Sequence, residues 1–214
     1  MTVPPTRACP SIGALAMAEP QTKTAGPHGD STRHLLFTEL EARLRALPGA
    51  PTDSGRLALI VCRSAEGVRE TPERVHLTAE EGVPCDSWGR RTPRKPEAQL
   101  AVMRRDVAEL IANGQPLTVF GDNIFVDLDI SAANLPPGTR LRVGGAVVEV
   151  TPLPHNGCAK FKGRFGSDAL SFVNAQPTRD QNLRGIYWKV IESGEAAVGA
   201  PIQVLARGEV RSEA

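Results

Sequence analysis

The sequence predicts a mostly β (α+β) domain, a barrel or strongly bent sheet of short antiparallel strands with a few helices at its edge. Three observations carry this. Apolar residues alternate in the second half, as at Leu141/Val143 and Val148/Val150. Tight-turn signals such as Gly144-Gly145 and Ser193-Gly194 separate these runs. Gly (20) and Pro (18) are abundant in the 214 residues, which favours turns and short strands over long helices.

In chain order, residues 1–31 read as a disordered tail, rich in Pro, Gly, Thr and Ala and without a periodic apolar face. A helix is expected over residues 32–49, with Leu36, Leu40, Leu44 and Leu47 as its stripe, Ser31 or Thr32 as cap and Pro48-Gly49 as stop. "GRLALIVCRS" reads as a buried strand with Leu57, Leu59 and Val61 on one face and Cys62 packed on the other. A short strand is expected at Val75–Leu77. "PEAQLAVMRRDVAELIANG" reads as the clearest helix, with Leu100, Met103, Val107 and Leu110 in a stripe and Gly114 closing it. "LTVFGDNIFVDL" predicts a strand on either side of Gly121-Asp122-Asn123, with the aspartates on turn and strand surface. The remainder reads as strand, turn and strand twice over. The domain is therefore expected over 50–206, with a tail at 207–214.

Net charge is +1, so nothing global argues for nucleic-acid or membrane-surface binding. No run approaches the roughly 18 apolar residues a membrane-spanning helix needs. Cys9, Cys62, Cys85 and Cys158 form neither a CxxC pair nor, with His76 and His155, a compact zinc template. This points away from a disulfide framework and towards a reducing, cytoplasmic setting. The mildly apolar stretch near the N-terminus lacks the basic lead of a secretory signal. No phosphate-binding loop, dinucleotide fingerprint or nucleophile elbow is present.

The chemistry concentrates in "TPLPHNGCAKFKGRFG". Cys158 follows a Pro-His-Asn-Gly bend, and Lys160, Lys162 and Arg164 follow it with no acid between His155 and Arg164. Nearby cations favour a thiolate, and a glycine beside the thiol lets backbone approach an anion. Cys158 is thus a candidate nucleophile, persulfide carrier or soft-metal ligand, while the cations suit a cofactor phosphate. A structural cysteine beside solvated lysines, in a non-catalytic anion- or partner-binding module, is the competing reading. Asn123, a carboxamide at a turn, is a candidate either to orient a ligand or to cap the turn.

From about Gly55 to Leu205 the chain resembles the MOSC domain, the C-terminal domain of molybdenum cofactor sulfurases, which also occurs alone. The resemblance rests, in order, on "HLTAEEGVPCDSWGRR", "PEAQLAVMRRDVAELI", "TVFGDNIFVDLDISAANLPPGTRLRVGGAVVEVT", "PHNGCAKF" with the family's cysteine, and "RGIYWKVIESGEAAVGAPIQVL". Two stretches depart from the family pattern: "PCDSWGRR" lacks its glycine and histidine beside Asp86, and Gly199-Ala200 stands for a closing Gly-Asp. The resemblance implies a mostly β barrel and a role for Cys158, as ligand of the molybdenum of a bound molybdenum cofactor or as persulfide carrier. The first version implies an oxidoreductase reducing N-hydroxylated small molecules. It also implies His155, Lys160, Arg164, Asn123 and Gln99 around the pterin phosphate and oxygens. A cysteine desulfurase or an electron-donating reductase would be a separate protein, and pyridoxal phosphate would enter only with that sulfur donor. Cys85 beside Asp86 is a candidate resolving thiol for Cys158.

Overall fold

The computed structural model describes residues 29–65, 67–84 and 86–209. The expected N-terminal tail falls almost wholly outside that range, as do Cys9 and the suggested resolving Cys85. Strands in chain order are β1 Ser54–Ile60, β2 Cys62–Ala65, β3 Val68–Glu70, β4 Arg74–Leu77, β5 Leu100–Arg104, β6 Ile124–Asp127, β7 Arg140–Val143, β8 Ala146–Val150, β9 Ile186–Glu192, β10 Gly194–Ala197 and β11 Pro201–Ala206. Helices are α1 Phe37–Ala46, α2 Arg105–Ala112 and α3 Ala159–Val173. Seven strands close a barrel in the order β1-β11-β7-β8-β9-β5-β6, while β4 pairs with β10 and β2 with β3 in two small ribbons. The barrel is antiparallel as expected, except where β5 runs parallel to β6.

Two apolar clusters meet across the barrel wall. Leu57, Val102, Val126, Leu141, Val148 and Trp188 fill the interior. Met103, Phe125, Leu40, Phe161, Phe165 and Phe172 fill the space between the wall and the three helices. Because β5 and β6 are covered on both faces, their residues are apolar at successive positions up to the terminal Arg104 and Asp127, rather than at every second one. That is why "LAVM" read as the start of a helix. Leu100–Arg104 is a strand, and the helix begins only at Arg105.

Other expectations shift for equally local reasons. A register break between Leu57 and Leu59 turns β1, so Leu57 faces the barrel interior while Leu59 and Val61 face the helical layer. Residues Leu117–Val119 form a 3-10 turn, so only one strand flanks Gly121-Asp122-Asn123. Leu36 lies just ahead of α1, 63% exposed, with Glu39 Oε2 accepting from its N–H at 2.9 Å. Cys62 is buried in the barrel core as expected, but its sulfur is disulfide-bonded rather than a free thiol. Beyond β11 the chain stays tied: Arg207 donates to Asp53 and Asn134, and Gly208 N–H to Thr139 Oγ1. No helix among the described residues is long and apolar enough to cross a membrane.

Candidate functional site: an arginine cleft beside an exposed thiol

The loop from β8 to α3 delivers Cys158. Thr151 pins its start, donating its N–H to Tyr187 O at 2.9 Å and its hydroxyl to Glu97 O at 2.7 Å. Gly157 N–H donates to Asn174 Oδ1 at 2.9 Å and fixes the end. Cys158 caps α3 in an extended conformation, and its carbonyl accepts the first helical bond from Lys162 N–H at 2.9 Å. The thiol is free and exposed, the only free one among the described residues. The helix was not anticipated after this cysteine. Its signal was the spacing of Phe161, Phe165, Ala169, Phe172 and Val173, all buried against the barrel wall.

Four arginines, from β2, β3, α3 and the residue before Gly185, lie within one another's electrostatic reach, and Arg164 among them also feels the Cys158 sulfur. Two are clamped by buried carboxylates. Arg63 donates from Nε and Nη2 to Asp86 at 2.8 and 2.6 Å and from Nη1 to Gly121 O at 2.7 Å. Arg184 Nη1 bridges both oxygens of Asp122 at 2.9 Å and lies over the Phe161 ring. The Asp86 and Asp122 side chains are 1% and 0% exposed, so each pair is a desolvated unit of fixed geometry. Burial would raise the Asp86 carboxyl. The Arg63 hydrogen bonds and charge, with the Trp88 and Arg63 amides, outweigh it and hold Asp86 below its ordinary value.

The other two, Arg69 and Arg164, have no carboxylate partner among the described residues. Arg69 donates only to Val68 O, and its Nε is buried without a partner. Arg164 Nη1 lies 3.5 Å from where a Cβ on Gly121 would stand, close to the Arg63 guanidinium. Burial first, and then the charge of a neighbouring arginine, pulls both Arg69 and Arg164 below the usual guanidinium range; for Arg164 the Cys158 sulfur acts in the opposite sense. Arg184 Nε is the second buried guanidinium donor without a partner. Buried donors are nearly always satisfied, so the two orphaned guanidinium donors leave hydrogen-bonding capacity that suits an anion.

His155 and Tyr187 form the wall next to Arg184, with ring centroids 4.2 Å apart. Gly185 makes room: its φ of +103° suits glycine, and a Cβ there would meet the Val102 carbonyl and lie 3.2 Å from His155 Nδ1. Burial, then Arg184, push the His155 imidazole down to about 3 despite Asp122 Oδ1 at 3.7 Å. Burial likewise raises the Tyr187 phenol. Both rings are therefore neutral near pH 7 and add no charge to the cleft.

The residues singled out from sequence divide. His155, Arg164 and Cys158 come together. Lys160 and Lys162 are exposed on the first turn of α3, outside the buried cluster. Asn123 and Gln99 prove to be scaffold, which corrects their place among the cofactor-contacting candidates. Asn123 is fully buried, accepting from Arg63 and Ala101 N–H and donating to Val61 O. Gln99 accepts from Val190 N–H and donates to Ala79 O, tying β9 to the loop after β4. Asp122, expected on a turn surface, is instead the buried partner of Arg184. Arg63, Arg69 and Arg184 were not anticipated, and Asp86 was noted only within a stretch resembling a family motif. The one available signal was charge inside apolar strand sequence, as in "VCRS". No group of three or more His, Cys, Asp and Glu positioned for a metal ion occurs among the described residues.

The fold is a closed mixed barrel with a cluster of buried arginine–carboxylate pairs and, at the cap of α3, an exposed thiol. The MOSC domain model matches residues 94–203, about half of the chain, and the chain belongs to the MOSC domain family. The family is associated with molybdenum cofactor binding. The uncharacterized protein YflK of Bacillus subtilis (strain 168) is 32% identical over 90 residues, 42% of this chain and only 38% of YflK. The crystal structure of YiiM from Escherichia coli superposes with a TM-score of 0.50 at 21% identity, covering 72% of each chain. A crystal structure of a hypothetical protein gives 0.53 at 19% identity, covering 72% of this chain and 70% of the other. At these identities the structural likeness speaks to the fold.

Proposed function

We propose that this protein holds a molybdenum cofactor in the arginine cleft, with the Cys158 thiolate as molybdenum ligand, and reduces an N-hydroxylated small molecule. The observation that carries the reading is the pair of half-buried guanidinium groups, Arg69 and Arg164, left without carboxylate partners among the described residues, with Arg164 in reach of the exposed Cys158 thiol. The residues fit the group. Arg69 and Arg164 suit its phosphate, Arg184 Nε offers a further donor, and a thiolate is the soft ligand such a metal takes. When bound, the cofactor supplies two-electron redox chemistry.

The chain's own residues bind and orient. Asp86 and Asp122 fix Arg63 and Arg184, so the inner wall needs no rearrangement when an anion arrives. His155 and Tyr187, both neutral, line the cleft without opposing that anion. Reduction of an N-hydroxyl group takes up two electrons and two protons and releases an amine and water, so a separate reductase must supply the electrons.

The test is the molybdenum and pterin content of protein purified anaerobically from a cofactor-producing host, wild type beside Cys158→Ala. Metal with pterin in the wild type, and metal lost from the variant, is the expected result. Absence of both from the wild type contradicts the proposal. A Cys158 persulfide in such metal-free protein would move the assignment to sulfur carriage, supplied by a separate cysteine desulfurase.

A further inference from the structure

We propose that the N-terminal strap, residues 29–37, through His34, is a positioning element for the cleft: it sets the Arg164 guanidinium by holding the Arg164 carbonyl at the break in α3. The inference rests on the reading of the cleft as an anion site.

The break is built by Gly166, whose φ of 93° and ψ of 169° lie outside the helical region. A turn interrupted there leaves carbonyls of the preceding turn without their helical donors. His34 Nε2 lies 3.1 Å from Arg164 O and supplies one donor from outside the helix. The imidazole fills the space a side chain at 166 would need, since a Cβ there would come within 2.9 Å of His34 Nδ1. Only glycine therefore satisfies both the backbone angle and the packing.

The strap is anchored on either side of His34. Asp30 N–H donates to Gln115 Oε1 at 2.7 Å, and Gly29 packs against the Arg164 carbonyl so closely that a Cβ there would overlap it. Asn113 Nδ2 donates to Arg33 O at 3.0 Å. Past His34, Phe37 N–H donates to Asp168 Oδ2 at 3.2 Å, and the Phe37 ring meets Phe172 edge-on at 6.1 Å. The strap thus grips α3 both at and beyond its break. Arg164 is the residue at which its backbone faces the strap while its side chain enters the cleft. With no carboxylate among the described residues to orient that guanidinium, the backbone is what remains to aim it.

The experiment measures affinity for inorganic phosphate by calorimetry on the full chain, in wild type, Arg164→Ala, His34→Phe, His34→Gln and the double variant His34→Phe/Arg164→Ala. His34→Phe keeps a ring against Gly166 and removes the donor, whereas His34→Gln restores an N–H at similar reach. Arg164→Ala should weaken binding about tenfold, the loss of a charge-assisted hydrogen-bonding group. His34→Phe should lose a comparable factor, His34→Gln should recover most of it, and the double variant should be no weaker than Arg164→Ala alone. Wild-type affinity in His34→Phe, or additive losses in the double variant, would overturn the strap's role and leave the cleft intact. Wild-type affinity in Arg164→Ala would overturn the anion site itself and the strap's role with it.

Discussion

The inner and outer arginines of the cleft share a chemistry and differ in company. Arg63 and Arg184 each carry a buried carboxylate, while Arg69 and Arg164 carry none among the described residues. A buried guanidinium matched to a buried carboxylate is locked, and removing either partner strands the other in a poorly solvated place. A guanidinium crowded by its own kind has spare hydrogen-bonding capacity, which the proposed anion would take up. On the proposed function, the inner pair belongs to the fold and the outer pair to the ligand.

The largest effect should come from breaking the inner pair. Arg184→Ala leaves Asp122 buried and unpaired and should cost about 3–5 kcal/mol of stability, read from urea unfolding. Replacing both partners by leucine should cost clearly less than either single change. A single variant as stable as wild type would show that the inner arginines are no more committed than the outer ones.

A smaller effect should appear as a pH slope beside that pair. His155 is held down to about 3 from 6.5, so the unfolded chain takes up a proton in this range that the folded chain refuses. Its contribution to stability is complete above pH 6.5 and falls as pH drops from there towards 3, by up to about 1.4 kcal/mol per pH unit. His155→Phe, which preserves stacking on Tyr187, should flatten the wild-type slope between about pH 6.5 and about pH 5. An unchanged slope would mean that His155 titrates normally and that the inner wall is wetter than its burial indicates.

The smallest effect on the fold should come from the outer pair. Arg69→Met should change stability by less than about 1 kcal/mol, since a half-exposed cation with no acidic partner among the described residues has little to lose. A loss of several kcal/mol in the same unfolding experiment would place Arg69 with the inner pair.

Much of the barrel was legible because hairpins announce themselves locally: Gly144-Gly145 between β7 and β8 is a turn and two alternating runs in one short stretch. The parallel strand β5 was not, because burial on both faces erases the alternation that marks a strand, and Leu100, Met103 and Val107 also fit a helical stripe. At the cleft, Cys158, His155 and Arg164 were legible because they share one stretch lacking acids. The clamps were not, because pairing Arg63 with Asp86 or Arg184 with Asp122 joins residues 23 and 62 positions apart, and no local pattern records such a pairing. Gln99 and Asn123 show the converse. Their residue type suggested ligand contact, but strand backbones take up the hydrogen bonds that a ligand would have needed.

The division between inner and outer arginines is tested most directly by Arg69→Met/Arg164→Met, purified anaerobically beside wild type from a cofactor-producing host, with pterin content and Tm taken on the same samples. The account predicts that pterin is lost while Tm stays within about 4 °C of wild type, the shift expected from about 1 kcal/mol in a chain of this size. Pterin retained at the wild-type level in the double variant would contradict it.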